Sequence, residues 1–167
     1  MASLTLRKKG VITFKKDDDY TTPKYIWNML DGIIDKEKIV YDPFYNKGET
    51  KIYLAELGYK NIIHNKEDFY INHHKYKFDI ILTNPPYSNK KKVFNELKKI
   101  DKPFIIIVPV STITKQFIRK TFLDKLQMII PSKRMQFEKN GINNKRCWFD
   151  CVFLTYKINL PKSITFL

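Results

Sequence analysis

The feature that most constrains the fold is a regular alternation of short apolar runs with longer segments of helical periodicity. The apolar runs predict strands at 39–41, 61–64, 78–83, 104–108, 126–131 and 147–158. Helices are predicted at 49–57, 91–100 and 114–126, after a first helix that begins at Thr22-Pro23 and carries its apolar face to Ile33. Strands that alternate with helices of about ten residues form βαβ units. The sequence therefore predicts an α/β fold with a mostly parallel sheet.

Length and charge narrow the class of protein. A chain of 167 residues has room for one core, so we expect residues 1–167 to form a single domain. Lys and Arg number 31 against 17 Asp and Glu, and the net charge of +14 favours a polyanionic partner, although Lys-rich chains also arise from AT-rich genomes. No apolar run is long enough to cross a bilayer, so we expect an intracellular protein with no membrane partner. The two cysteines and three histidines are spaced unsuitably for a metal site, and we predict none.

The segment Asn84-Pro85-Pro86-Tyr87 directly follows the predicted strand 78–83. Ligands of parallel sheets bind beyond the C-terminal ends of the strands, where this segment must lie. Two prolines stiffen it and remove two N–H donors, so the Asn84 amide oxygen and the Pro85 carbonyl can both accept from one amino group. Holding both hydrogens localises the nitrogen lone pair and activates an exocyclic amine, while Tyr87 offers a face for a stacked base. In isolation the same residues are ordinary turn formers.

These features resemble the Rossmann-like amino-methyltransferases, especially the adenine-N6 DNA methyltransferases that carry Asn-Pro-Pro-Tyr or Asn-Pro-Pro-Phe. The resemblance runs from about Tyr20 to Ile158, and the order of its motifs is similar to that of the γ class. It implies a Rossmann-like methyltransferase fold with helices on both faces of the sheet and an antiparallel C-terminal strand. It also implies S-adenosyl-L-methionine as the cofactor and the N6 amino group of a flipped adenine in DNA as the methyl acceptor.

The resemblance further implies which residues bind the cofactor. A Tyr-x-Thr-Pro element touches its methionine part, an Asp-Pro-Phe element follows the first strand, and an Asp-Phe pair meets its adenine. The segment Asn84-Pro85-Pro86-Tyr87 is called the acceptor loop. The matching positions are Tyr20, Thr22, Pro23, Asp42, Pro43, Phe44, Asp68, Phe69 and, in the acceptor loop, Asn84.

Two predicted cofactor-binding positions depart from the family pattern. The turn after Phe44 has one glycine, Gly48, where the family has Gly-x-Gly. Asn65 stands where the family has an acidic residue that holds the ribose hydroxyls. An asparagine can hydrogen-bond a hydroxyl, but less strongly than a carboxylate.

Basic residues flank the predicted site and are candidates for contact with nucleic-acid phosphates. These residues are Lys90, Lys91, Lys133, Arg134, Lys145 and Arg146. A solvated helix start is an equally good interpretation of Lys90 and Lys91. DNA is favoured over RNA as the partner, and a homodimer or a partner subunit would supply specificity, because we predict no separate target-recognition domain. The same chemistry on RNA or on a protein glutamine amide, and a non-catalytic nucleic-acid-binding subunit, remain as alternatives.

Overall fold

The computed structural model describes residues 20–139, 142–143 and 149–167. Its α-helices are α1 (Lys24–Asn28), α2 (Glu49–Glu56), α3 (Phe69–Asn72), α4 (Lys90–Ile100) and α5 (Gln116–Phe122). Its strands are β1 (Ile39–Tyr41), β2 (Asn61–Ile63), β3 (Ile80–Thr83), β4 (Phe104–Pro109), β5 (Leu126–Ile130), β6 (Glu138–Lys139), β7 (Ile142–Asn143), β8 (Cys151–Tyr156) and β9 (Ile164–Phe166).

Seven strands form one sheet in the order β2-β1-β3-β4-β8-β5-β9. β1 pairs in parallel with β2 and β3, and β3 pairs in parallel with β4. β8 lies antiparallel between β4 and β5, which confirms a mostly parallel sheet with an antiparallel strand near the C-terminus. The last strand is β9, parallel to β5, and not the predicted strand 147–158. β8 begins only at Cys151, and residues 144–148 lie outside the described part of the chain.

The sheet is covered on both faces, as predicted. Along β4, Ile105 and Ile107 point into one core and the alternate residues Phe104 and Ile106 into the other, because successive side chains of a strand point in opposite directions. The first core receives Ile26, Trp27 and Leu30 from the α1 segment and Leu54 from α2. The second receives Val93, Phe94 and Leu97 from α4 and Ile118 and Phe122 from α5.

Several helices differ in extent from the sequence prediction. The first helix ends at Asn28 and continues as turns, although Leu30 is still fully buried on the same face. Helix α5 stops at Phe122 because Leu123 adopts a positive φ of 47°, which a right-handed helix cannot accommodate. The short helix α3 was not predicted. It is capped by the Asp68 side chain, which accepts a hydrogen bond from the Tyr70 amide at 2.8 Å.

The strand order reverses direction at β1. The chain passes from β1 to β2 on one side and later returns to β3 on the other, so β1 and β3 are neighbours whose connections leave in opposite directions. Such a reversal opens a crevice beyond the C-terminal ends of the two strands. Asp42 follows β1 and Asn84 follows β3, so the fold brings two predicted motifs to this crevice.

Candidate active site

A cavity of about 490 Å³ opens at the crevice. That volume is ample for a nucleoside-sized ligand, since ligand pockets commonly span about 300–1,000 Å³. Residues from all four predicted motifs line it, namely Tyr20, Pro43, Phe44, Asp68, Phe69, Asn84 and Tyr87. The four motifs meet at this cavity because each motif ends or flanks an element that terminates at the same edge of the sheet.

The acceptor loop is held by a contact between two motifs that are far apart in sequence. The Asn84 amide nitrogen donates a hydrogen bond to the Thr22 hydroxyl at 2.9 Å. Thr22 is buried, with 5% of its surface exposed, so water cannot easily replace this partner. The contact directs the other end of the amide: Asn84 Oδ1 is buried and has no hydrogen-bond partner among the described residues. This oxygen therefore retains hydrogen-bonding capacity that the described residues do not use.

Asp42 lies beneath the cavity and not in its wall. Its carboxylate accepts hydrogen bonds from the Thr83 hydroxyl and, at 3.3 Å, from the Phe44 amide. His64 Nδ1 lies 3.3 Å from the other carboxylate oxygen and 3.0 Å from the Asp42 carbonyl oxygen. Burial raises the pKa of the Asp42 carboxyl, and His64 and the Thr83 hydroxyl oppose that rise. Asp42 therefore joins the ends of β1 and β3 and fixes the loops that they carry.

The turn after Phe44 supplies the left-handed conformations of a glycine-rich loop with a single glycine. Gly48 has φ of 84° and Asn46 has φ of 46°, and asparagine tolerates this region better than most residues. The Asn46 side chain also donates a hydrogen bond to the Tyr20 carbonyl at 2.8 Å. This bond links the turn to the first motif, Tyr20-Thr21-Thr22-Pro23. Asn46-Lys47-Gly48 thus occupies the place expected for Gly-x-Gly, with Asn46 in the cavity wall.

Asn65 and Glu67 differ from the sequence-based assignment. The Asn65 side chain donates to the Tyr76 hydroxyl at 3.0 Å, and Asn65 is not among the lining residues. Glu67, four residues beyond the end of β2, lies in the wall beside Asp68. Sequence reasoning missed it because it tested only the two residues that directly follow the strand. A search over the whole β2–α3 connection would have found its carboxylate.

Pro23 and Pro85 are not among the lining residues of the cavity. Pro23 immediately precedes α1, and Pro85 is a buried residue of the acceptor loop. Tyr87 lies in the wall, with its ring 5.3 Å from the ring of Phe149 in an edge-to-face arrangement. Its hydroxyl contacts the Cys151 sulfur at 3.5 Å, so the ring is held from two sides.

The predicted basic residues are distributed unevenly around the cavity. Lys90 lies over the Tyr87 ring, with Nζ 5.5 Å from the centroid, and Lys91 follows it in the first turn of α4. Lys92, the third lysine of this turn, lies over the Tyr70 ring with Nζ 3.6 Å from the centroid, and Tyr70 also lines the cavity. Two of the three lysines at the start of α4 therefore make cation–π contacts with aromatic residues of the cavity wall.

The second basic group belongs to the segment that precedes β8. Lys133 lies over the Tyr25 ring at 4.8 Å, and Arg134 pairs with Asp150 at 2.9 Å. β6 pairs with β7 and forms an antiparallel bridge to Thr21, so this segment is joined to the first motif. Lys145 and Arg146 lie outside the described residues.

Within the described part of the chain, no helix has the length and apolar character to cross a membrane.

Comparison with known proteins supports the fold alone. No protein-family model matches the sequence, and no curated protein matches it. Among solved structures, the chain is similar to precorrin-6y C5,15-methyltransferase from Geobacter metallireducens, with 9% identity, 85% of this chain and 96% of that chain covered, and a TM-score of 0.51. It also aligns with an rRNA methylase from Streptococcus thermophilus, with 10% identity, 78% and 92% covered, and a TM-score of 0.43. The first likeness confirms the predicted Rossmann-like methyltransferase fold.

Proposed function

We propose that this protein binds S-adenosylmethionine and transfers its methyl group to an amino nitrogen, most specifically the N6 amino group of adenine in DNA. The observation that carries the proposal is the buried Asn84 Oδ1, which is oriented by Thr22 and has no donor in the described structure. Asn84 lines a cavity large enough for a nucleoside, in a methyltransferase fold. An acceptor in that position suits a substrate that brings two N–H bonds.

The residues of the cavity fit the cofactor. Phe44 and Phe69 offer apolar faces for a purine, with their ring centroids 5.3 Å apart. Asp68 stands at the N-terminus of α3, beside them, where it would accept a hydrogen bond from the purine amino group. We assign to Glu67 the role predicted for Asn65, because a carboxylate in the wall could accept hydrogen bonds from both ribose hydroxyls.

The acceptor loop supplies the activation of the amine. Asn84 Oδ1 and the Pro85 carbonyl would each accept one N–H of the target amino group, which withdraws the nitrogen lone pair from the ring and directs it outward. When bound, S-adenosylmethionine would supply a methyl group on a sulfonium sulfur; the amine lone pair would form the new C–N bond, and the C–S bonding pair would leave with the sulfur. The nitrogen then loses one proton to water. Tyr87 would stack against the flipped base while the loop holds its amino group.

Charge favours nucleic acid over a protein amide as the source of the amine. The chain has a net charge of +14, and Lys90 and Lys92 lie over aromatic residues of the cavity wall. Phosphates on either side of a flipped nucleotide would meet these cations. A glutamine side chain in a protein offers the same amide nitrogen but no phosphates.

Transfer of a labelled methyl group tests the proposal. The protein is incubated with methyl-tritiated S-adenosylmethionine and, in separate reactions, with unmethylated amplified DNA, transcribed RNA and a protein extract. We expect label in DNA, recovered as N6-methyladenine by mass spectrometry. Asn84→Ala should lower the rate about 100-fold, in line with the removal of one preorganised group at a reacting centre. The exposed Asn89, on the same loop, provides the matched control Asn89→Ala, which should be unaffected.

The outcomes separate the alternatives. Label in RNA alone, or in protein alone, would move the substrate to that class and retain the chemistry. If Asn84→Ala transferred as fast as the wild type, the role of the acceptor loop would be wrong. Absence of any heat on calorimetric titration with S-adenosylmethionine would favour the non-catalytic nucleic-acid-binding subunit.

A further inference from the structure

A small hollow lies beside the main cavity, between the first motif and the turn that precedes α2. It has a volume of about 20 Å³, close to that of one water molecule or one ammonium group. Its wall includes Thr22, Asn46, Lys47, Glu49 and Asn84, and Lys47 is exposed to solvent. Asn46 and Asn84 also line the main cavity, so the two spaces are continuous.

Glu49 is the residue of this hollow that the proposed reaction leaves without a task. It is the first residue of α2, directly after Gly48, and one of its carboxylate oxygens, Oε2, is buried without a hydrogen-bond partner in residues 20–139, 142–143 and 149–167. Glu49 as a whole is only half-buried, but a buried carboxylate oxygen with no donor is unfavourable, because that oxygen gave up its hydration on folding. The unfavourable term disappears when a cation or a strong donor enters the hollow.

The position of the hollow indicates which cation would enter. Asp68 and Phe69, which are proposed above to bind the adenine, line only the main cavity, so the hollow would be open to the opposite end of an adenosyl ligand, its amino-acid chain. The hollow touches Asn84 and the first motif but not Asp68 or Phe69. That chain ends in an α-ammonium group, which is compact, positively charged and rich in donors.

We propose that Glu49 binds the α-ammonium group of the cofactor and selects for ligands that carry an amino-acid chain. The inference rests on the proposed function, since it assumes that the cavity holds an adenosyl ligand. It assigns to Glu49 a binding role that neither the sequence motifs nor the fold gives it. The competing explanation is a water molecule that satisfies Oε2 and stays in place when the ligand binds.

A cycle between one residue and one ligand group distinguishes these explanations. Dissociation constants are measured by calorimetry for S-adenosylhomocysteine and for its analogue that lacks the α-amino group, against the wild type and Glu49→Gln. Both ligands are neutral at sulfur, so they differ only in the ammonium. We expect the wild type to bind S-adenosylhomocysteine about 10- to 100-fold more tightly than the analogue, and Glu49→Gln to bind the two equally. Glu56→Gln, on the same helix at a surface pair with Lys24, should retain the wild-type preference.

Each result has one meaning. A Glu49→Gln variant that keeps the wild-type preference overturns the inference and leaves the proposed function standing. If Glu49→Gln does not fold, the wild type alone decides, because equal affinity for the two ligands overturns the inference as well. A wild type that binds neither ligand, and binds no S-adenosylmethionine, refutes the proposed function itself. Binding of 5′-methylthioadenosine by Glu49→Gln at wild-type strength verifies that the adenine side is intact.

Discussion

The contact between Thr22 and Asn84 is the most informative place to perturb this protein. Thr22→Val keeps the shape of the side chain and removes the hydroxyl that accepts from Asn84 Nδ2 at 2.9 Å. The site is buried, so the valine leaves the amide nitrogen without a replacement partner. The amide can then rotate, and Oδ1 is no longer directed by a fixed hydrogen bond.

The size of the effect follows from the hydrogen bond that is lost. A buried donor left without a partner costs about 1–3 kcal/mol, and Asn84 is only partly buried, so we expect about 1–2 kcal/mol. If the transition state requires the oriented amide, the same energy appears in the barrier. Since about 1.4 kcal/mol corresponds to a tenfold change in rate, methyl transfer should be slower by roughly 5- to 30-fold.

Single-turnover transfer to DNA at saturating cofactor measures this step without contributions from cofactor binding. Thr22→Ser is the control, because it keeps the hydroxyl and should stay within about threefold of the wild type. Thermal unfolding should show a small loss of stability for the valine variant alone. A valine variant that transfers at the wild-type rate, while Asn84→Ala is inactive, would show that Thr22 does not orient the amide.

Three further outcomes are expected. Gly48→Ala should destabilise the fold more than Gly32→Ala, as measured by chemical denaturation. Both glycines have a positive φ, which costs alanine about 1–2 kcal/mol, but only at Gly48 would the new Cβ lie 2.6 Å from the Tyr45 hydroxyl, because no described atom lies within 4 Å at Gly32. Equal losses of stability would contradict this expectation. Glu67→Gln should weaken cofactor binding about tenfold in calorimetry, and Asn65→Ala should change it less than twofold. A larger loss for Asn65→Ala than for Glu67→Gln would return the ribose-binding role to Asn65. Hydrogen bonds from Lys157 and Tyr156, together with the charge of Lys157, hold the pKa of Asp101 below its ordinary value of 3.8, so the stability that Asp101 contributes is full above that pH and is lost as the pH falls through the lower folded-state pKa. The stability difference between wild type and Asp101→Asn should therefore shrink in strong acid, and a difference independent of pH would contradict this.

Local sequence patterns predicted six of the seven strands of the large sheet and the motifs at their ends. β1, β3 and β4 were predicted because buried parallel strands are continuous apolar runs, and their ends carry Asp42 and Asn84. The edge strand β9 was missed, since Ile164 and Phe166 are exposed and the run is only three residues long. α3 was missed because a four-residue helix has too few positions to show a period.

The sequence by itself determined the βαβ order, and with it the edge of the sheet at which the four motifs meet. Only the tertiary structure decided what each residue does there. Thr22 and Asn84 are 62 positions apart, and their hydrogen bond exists because two loops converge. Asp42 is buried and links the ends of β1 and β3 through its contact with Thr83. Asn46 adopts a left-handed conformation that glycine usually provides. Glu67, and not Asn65, lines the cavity. Periodicity reports how a residue faces its own element, whereas side-chain partners depend on which elements pack together, and that is set by the whole fold.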